Sequence, residues 1–434
     1  MTTYPAPPVT SGRRLVSEGP GKKMPERLLA KLWKERAARL TNLRTEAGKR
    51  VRVVYPGRSG ASAGPDFRDA LLEVEGLGLV SGDVELHIRQ SDWKSHGHGG
   101  DPNYNGVVLH GALEVASEET RLQSGTHAPV VDLRALLEEG PANERSLDPV
   151  APEPLNLWRV LARRGVLEPF SMDEAGEALD RAGDHRFQLK SRWLSECILS
   201  DGPDQALYQA LMEGLGYSSN RRPFIELASR APYQAVANAA GQLVPGARFG
   251  AMCGWLGACA GLARPVSPGQ PLSALPRMIG PAMNHGEWRL FRVRPANHPR
   301  RRIMGAALIL DRFLERGLAV GLGEIVQGLS PAKLTEALCV PGTGGPALVG
   351  PGRARDLAVN AVLPFVHAWA EVKGRGPGAD AALAAYHLYP RLPDNELYRE
   401  MAEQLFPPSW RGVADSARRQ QGLLHLSALL KGAH

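Results

Sequence analysis

From residue 25 to residue 41 apolar side chains recur three and four positions apart. Leu28, Leu29, Leu32 and Trp33 fall on one stripe of an amphipathic helix. The period then shortens to two. Residues 51–55 alternate and stop at Pro56 and Gly57, which predicts a strand and a turn. Residues 69–75, 82–89 and 106–114 repeat that alternation and predict three more strands, and "VVDLRALLEEG" predicts a short closing helix. Residues 141–155 are rich in proline and polar side chains and read as a linker. Residues 1–24, basic and rich in Pro and Gly, read as a flexible tail. Beyond residue 156 the periodicity is helical almost throughout, in segments such as "MDEAGEALDRAGDHRFQLKSRWLSECIL" and "HPRRRIMGAALILDRFLERG" set apart by Gly and Pro. The expected architecture is α+β: a mixed-sheet domain over 25–140, then a larger all-helical domain over 156–434.

Composition narrows the class. The chain has 434 residues and is 43% hydrophobic, enough for packed cores, which excludes general disorder. An excess of 52 Lys and Arg over 45 Asp and Glu leaves a net charge of +7. The isoelectric point near 9.3 permits a polyanionic partner without requiring one. Cys197, Cys253, Cys259 and Cys339 form no CxxC pair, as expected of free thiols in a reducing compartment. The first residues lack the apolar segment of a secretory signal. The run from Phe249 to Ala263 is too short and too rich in small residues to span a bilayer. A cytoplasmic protein without membrane association is expected. "CVPGTGGPALVGPGRARD" is glycine-rich, yet it lacks the Lys-Ser/Thr ending of a phosphate-binding loop.

The chemistry concentrates between Ser62 and His110, which hold four of the twelve histidines together with Asp66, Asp69, Asp83, Asp92, Asp101 and Glu85. Taken as a strand, "GDVELHIR" turns Asp83, Glu85, His87 and Arg89 to one face and Val84, Leu86 and Ile88 to the other. Such clustered titratable groups mark a site more often than a merely wetted strand. Asp66 precedes the neighbouring strand, so its carboxylate and that of Glu85 are placed to converge on one divalent cation. Hard oxygen donors suit Mg²⁺ or Mn²⁺. His96, His98 and His110, with Asp92 or Asp101, form a second donor set whose ligand type suits zinc. Trp93 and Tyr104 read as anchors of the loop that carries them, with a base-stacking part left open and Tyr104 counted among the secondary site candidates.

"GPDF" followed nineteen residues on by Glu85 in "VELH", within the order helix, three strands, helix, strand, resembles the PD-(D/E)XK nuclease superfamily. That resemblance implies a restriction-endonuclease-like fold for 25–140. It implies metal held by Asp66, Glu85 and Glu26, a water positioned or deprotonated by His87, and cleavage of DNA or RNA phosphodiesters. His87 stands where the superfamily has lysine. This departure leaves open a non-catalytic nucleic-acid-binding or scaffolding protein with a degenerate site. "HGHGGD" is similar to the zinc motif of metallo-β-lactamase-like hydrolases, with its aspartate displaced by one and the following histidine missing, so a zinc hydrolase also stays open. Longer stretches, among them "AGPDFRDALLEV", "GYSSNRRPFIELASRAP", "RVRPANHPRRRI" and "QQGLLHL", resemble a bacterial family catalogued as domain of unknown function 2851. Arg292, Arg294, Arg300, Arg301 and Arg302, with Trp288 and Phe291 interleaved, read either as a phosphate-binding track alongside Arg89 or as interhelical ties.

Overall fold

The structure is a computed structural model that describes residues 25–40, 43–60, 64–137, 157–262, 281–290, 293–342, 344–374 and 376–431. The tail expected at 1–24 and the linker expected at 141–155 lie outside the described residues. The chain divides into two compact units, Met1–Pro154 and Leu155–His434.

The first unit opens with α1 (Glu26–Arg36), followed by β1 (Val51–Tyr55), β2 (Arg58–Ser59), β3 (Phe67–Val74) and β4 (Gly78–Arg89). A short helix α2 (Asp92–Ser95) and two 3₁₀ turns then lead to β5 (Val107–Glu114), β6 (Glu119–Arg121) and β7 (His127–Asp132). The sheet is mixed, in the order β1-β3-β4-β5-β7-β6, with β2 appended to β3. β1, β3 and β4 pair antiparallel, whereas β5 runs parallel to both β4 and β7. The expected helix at "VVDLRALLEEG" is a strand through Asp132 and only then a 3₁₀ turn at Arg134–Leu136. The β-branched Val130 and Val131 are wholly buried beside β5, and sheet pairing outweighs the helical spacing of the leucines.

α1 packs on one face of the sheet. Leu29 and Trp33 are fully buried among Val53, Phe67, Leu72, Val84, Leu86 and Leu109, while Leu28, expected on the same stripe, is 45% exposed. Trp33 also donates its Nε1 hydrogen to the carbonyl of Pro56 at 3.0 Å, pinning the helix to the turn after β1. The opposite face is covered by residues 91–105, whose Trp93 and Tyr104 pack with Val107, Leu122 and Ala128. The middle of β4, Val84 to His87, is thereby buried on both sides. The alternation read from sequence holds, and of its polar face Glu85 and His87 are buried, Asp83 half-buried and Arg89 exposed.

The second unit is helical: α3 (Leu157–Ala162), α4 (Met172–Asp201), α5 (Pro203–Leu215), α6 (Tyr217–Arg230), α7 (Tyr233–Gly241) and α8 (Pro245–Cys259) come first. α9 (Pro299–Phe313), α10 (Leu318–Gln327), α11 (Pro331–Leu338) and α12 (Pro351–Leu357) follow. A single π turn (Ala358–Val362) then leads into α13 (Leu363–Val372), α14 (Pro377–His387), α15 (Glu396–Leu405) and α16 (Ala417–Leu430). The thirty-residue α4 lies along α13 and α16 as the spine of the unit. α8 takes in most of the small-residue-rich run from Phe249 and buries Met252, Trp255, Leu256, Gly257 and Cys259, with Gly250 and Gly254 exposed. The four cysteines are free. Among the described residues no helix is long and apolar enough to cross a membrane.

Replacing Trp33 by alanine removes the largest side chain under α1 and its hydrogen bond. The expected loss is about 3–5 kcal/mol, read as a lowered midpoint in urea or thermal unfolding of the full chain. An unchanged midpoint contradicts this account of the sheet's apolar face.

Candidate metal centre

The site forms where β3 enters its pairing with β4. Phe67 pairs with Val84, and the register slips between Phe67 and Ala70, with Asp69 held at a positive φ of 58°. A bulge of this kind re-aims the residues beside it. Here it leaves Asp66 directly across from Glu85. The two residues clasp each other: the amide of Asp66 donates to Glu85 Oε2 at 2.9 Å, and the amide of Leu86 donates to Asp66 Oδ2 at 3.1 Å.

Glu85 Oε1, on the other side of the same carboxylate, meets imidazoles. His98 Nε2 stands 3.2 Å away and His87 Nε2 3.7 Å. His87 Nε2 lies 3.2 Å from His96 Nδ1, and one ligand atom from each of His87, His96 and His98 falls within 4.8 Å of the others. Donors bound at about 2.1 Å to a single ion stand about 3.4 Å apart, so these separations fit a common cation. Gly97, at φ 78°, turns the chain so that His96 and His98 both reach the group. Tyr104 stacks on His98 with ring centroids 4.0 Å apart and fixes its plane. His87 is buried, His98 half-buried and His96 exposed, so the cluster opens to solvent through His96.

Behind the ligand atoms runs a buried relay. His87 Nδ1 faces His110 Nε2 at 2.9 Å, and His110 Nδ1 faces Thr120 Oγ1 at 2.7 Å. Gln90 Nε2 donates to the same hydroxyl oxygen at 3.3 Å. If His87 donates through Nδ1, His110 must carry its own hydrogen on Nδ1 and pass it to Thr120. That tautomer leaves the lone pair of His87 Nε2 aimed into the cluster, which is how an outer partner orients a metal-binding histidine.

Electrostatics agree. Burial, aided by His110, His98 and His96, pushes the His87 pKa down to about 3, and burial with His98 pushes that of His110 down to about 4. Both imidazoles are therefore neutral at pH 7 and offer lone pairs. Burial also raises the pKa of Asp66 and of Glu85, each increased further by Glu26 and Glu85 by Asp66 as well. With its pKa pushed up to about 9, Glu85 keeps a proton at neutral pH in the absence of a cation, and a bound cation would replace that proton.

The other expected residues sort by position. Glu26, at the start of α1, is exposed and lies within electrostatic reach of Asp66 and Glu85. Asp83 accepts the amide of Asp69 and steadies the bulge. Asp92 accepts the Arg89 amide and Asp101 caps the turn at Asn103; neither joins the group of three imidazoles, nor do Asp66 and Glu85, although Glu85 Oε1 borders it. His110 backs His87 and is replaced by it in the zinc-type donor set expected from sequence. Thr120 and Gln90 carry no signal in sequence; only the pairing of strands reveals them.

The arginine segment belongs to the second unit. Arg302 is only 4% exposed and donates to Tyr217, Asn297 and the Leu348 carbonyl. It is an interhelical tie rather than part of a surface track. Arg300 and Arg301 donate to the carbonyls of Leu262 and Pro346, Arg294 is exposed, and Arg292 lies outside the described residues.

Fold and site together define a two-unit α and β chain whose sheet carries a buried carboxylate–histidine cluster. The chain belongs to the family described as protein of unknown function DUF2851, which matches residues 26–318. No curated protein and no solved structure matches it.

Two outcomes follow from this geometry. Thr120→Val breaks the relay and is expected to weaken metal binding about 10- to 100-fold, by titration calorimetry, with the fold retained. The raised Glu85 pKa means that the folded state holds a proton that the unfolded state has released, so this group lowers stability as pH rises. The lowered histidine pKa values act in the opposite direction only below about 6.5. Above that pH, Glu85→Gln is expected to stabilise the metal-free protein, with a margin that grows toward alkaline pH in chelator. A margin independent of pH would show that Glu85 carries no such proton.

Proposed function

We propose that this protein is a metal-dependent phosphodiesterase that hydrolyses nucleic acid. One observation carries the reading: the Glu85 carboxylate stands between Asp66 on one side and the trio His87, His96 and His98 on the other. The order α1, β1, β3, β4, β5, with β4 parallel to β5, supports a PD-(D/E)XK-like ancestry, as do carboxylates at the β3 entry and within β4. Glu26 at the head of α1 matches the additional acid of that arrangement.

Asp66 and Glu85, assisted by Glu26, would hold the ion by oxygen, and His87, His96 and His98 by nitrogen. Three imidazoles shift the preference from Mg²⁺ toward Mn²⁺ or Zn²⁺, since imidazole suits transition ions and Mg²⁺ favours oxygen. When bound, such an ion polarises a phosphoryl oxygen and lowers the pKa of bound water. His87 does not serve as the superfamily's lysine. It is neutral, sealed and tied to His110, so its part is to hold and orient. The half-buried His98 and exposed His96 face the solvent side, where a substrate arrives.

The test is cleavage of single- and double-stranded DNA and RNA by the full chain with Mn²⁺, Zn²⁺ or Mg²⁺. Activity is expected with Mn²⁺ or Zn²⁺, and Glu85→Ala or His98→Ala should reduce it about a hundredfold or more. Equal cleavage by wild type and Glu85→Ala ends the proposal. Salt-sensitive binding of nucleic acid without turnover would instead point to a binding protein.

A further inference from the structure

Beyond residue 318, where the family match ends, the second unit forms a cavity of about 290 Å³ between α15, the turn that follows it and the start of α16. Its apolar wall is aromatic. Tyr398 and Phe406 are buried, and Trp410, at the end of a 3₁₀ turn (Pro408–Trp410), is half-buried. Phe406 neighbours two indoles, with ring centroids 5.7 Å from Trp158 and 6.1 Å from Trp410. Trp158 donates its Nε1 hydrogen to the carbonyl of Leu405 at 2.7 Å, which pins the end of α15 to α3. Pro407 and Pro408 stiffen the turn, and Gly412, at φ 96°, bends the chain back toward α16. The wall is therefore formed before any ligand arrives.

The polar residues that line the cavity are of two kinds. Some are already committed. Gln420 is buried, its Oε1 accepts the amide of Leu392 at 2.7 Å, and its Nε2 donates to the Leu392 carbonyl at 3.1 Å. Arg391 and Asp394 form an ion pair at 2.5 Å. Arg399, Glu403 and Arg411 differ, being exposed at the rim. Arg399 and Glu403 stand one turn apart on α15, a spacing at which opposite charges commonly pair, and they do not pair. Among the described residues none of the three joins an ion pair.

A hollow with an apolar wall, a satisfied interior and a few uncommitted polar groups at its mouth is the make-up of a small-ligand site. We propose that this cavity binds one nucleoside monophosphate whose base carries an amino group. The base stacks on the aromatic wall at Trp410, since every nucleobase offers a flat face to an indole. Arg399 and Arg411 come from different elements, and a phosphate has three terminal oxygens to share between two guanidiniums, whereas one guanidinium suffices for a carboxylate. Glu403 accepts from the amino group, the pairing that a carboxylate makes with cytosine N4. The volume stands at the lower end of the range of about 300–1,000 Å³ found for ligand pockets, which suits one nucleotide and not a strand. The site is independent of the reading of the first unit.

The experiment is calorimetric titration of the full chain with adenosine monophosphate, in chelator so that no metal takes part. Wild type is expected to bind one nucleotide per chain, and to bind adenosine or inorganic phosphate at least about tenfold more weakly. Arg411→Gln, at an exposed position, is expected to weaken binding about tenfold, and Trp410→Ala by at least as much. A thermal melt of each variant reports folding. Inorganic phosphate bound as tightly as the nucleotide overturns the stacking, and uridine monophosphate bound as tightly overturns the part given to Glu403. No nucleotide binding by wild type, or equal binding by folded Arg411→Gln, overturns the site.

Discussion

A strand buried on both faces normally carries apolar side chains on both, and β4 does not. Its inner positions alternate Val84 and Leu86 with Glu85 and His87, all four of them buried. Placing a carboxylate and an imidazole in the middle of a sheet requires every polar atom to find a partner, because an unpaired group there costs several times what a surface group does. The first unit meets this demand in two directions. Toward β3 the demand is met by the backbone clasp with Asp66, which depends on the bulge at Asp69. Toward β5 and β6 it is met by the file His87, His110, Thr120 and Gln90.

The loop over this face follows from the same constraint. Residues 91–105 contribute Trp93 and Tyr104 as packing and His96 and His98 as candidate ligands, so one segment both covers the sheet face and brings two imidazoles to His87. Tyr104 does both at once, buried against Trp93 and stacked on His98. The burial that makes the carboxylates costly without a cation is also what would make a bound ion's field strong, since low local dielectric magnifies every charge interaction near it.

Much of this was legible before any coordinates. Period-two alternation located β1 and β5 to within a residue and β4 from residue 82 onward although it begins at Gly78, and the parity of "GDVELHIR" placed Glu85 and His87 on one face, as they are. What sequence missed was depth. Alternation reports which residues share a face but not what covers it, and the covering loop shows only small, polar and aromatic residues without a period. The relay was invisible for a different reason: Thr120 meets His110, and Gln90 meets Thr120, across strands ordered β4-β5-β7-β6, an order that alternation does not encode. The helix expected at "VVDLRALLEEG" failed because Val130 and Val131 were weighed by the spacing of the leucines after them rather than by their own β-branching. Of the two readings the arginine run left open, Arg302 follows the interhelical one, pointing inward to Tyr217 and Asn297.

The two units bury charge of opposite sign by different means. In the first, Asp66 at the entry of β3 and Glu85 within β4 are partnered by backbone amides across the pair of strands. In the second, the basic groups sit on a helix whose own amides are already committed to the i−4 carbonyls, so α4 has nothing to offer Lys190 from its own backbone. The partner must come from another element, and the π turn at Asn360 supplies both its carbonyl and its side-chain oxygen. That single interruption frees the acceptors that an unbroken helix would have kept for itself. It satisfies part of the lysine's hydrogen-bonding capacity from outside α4.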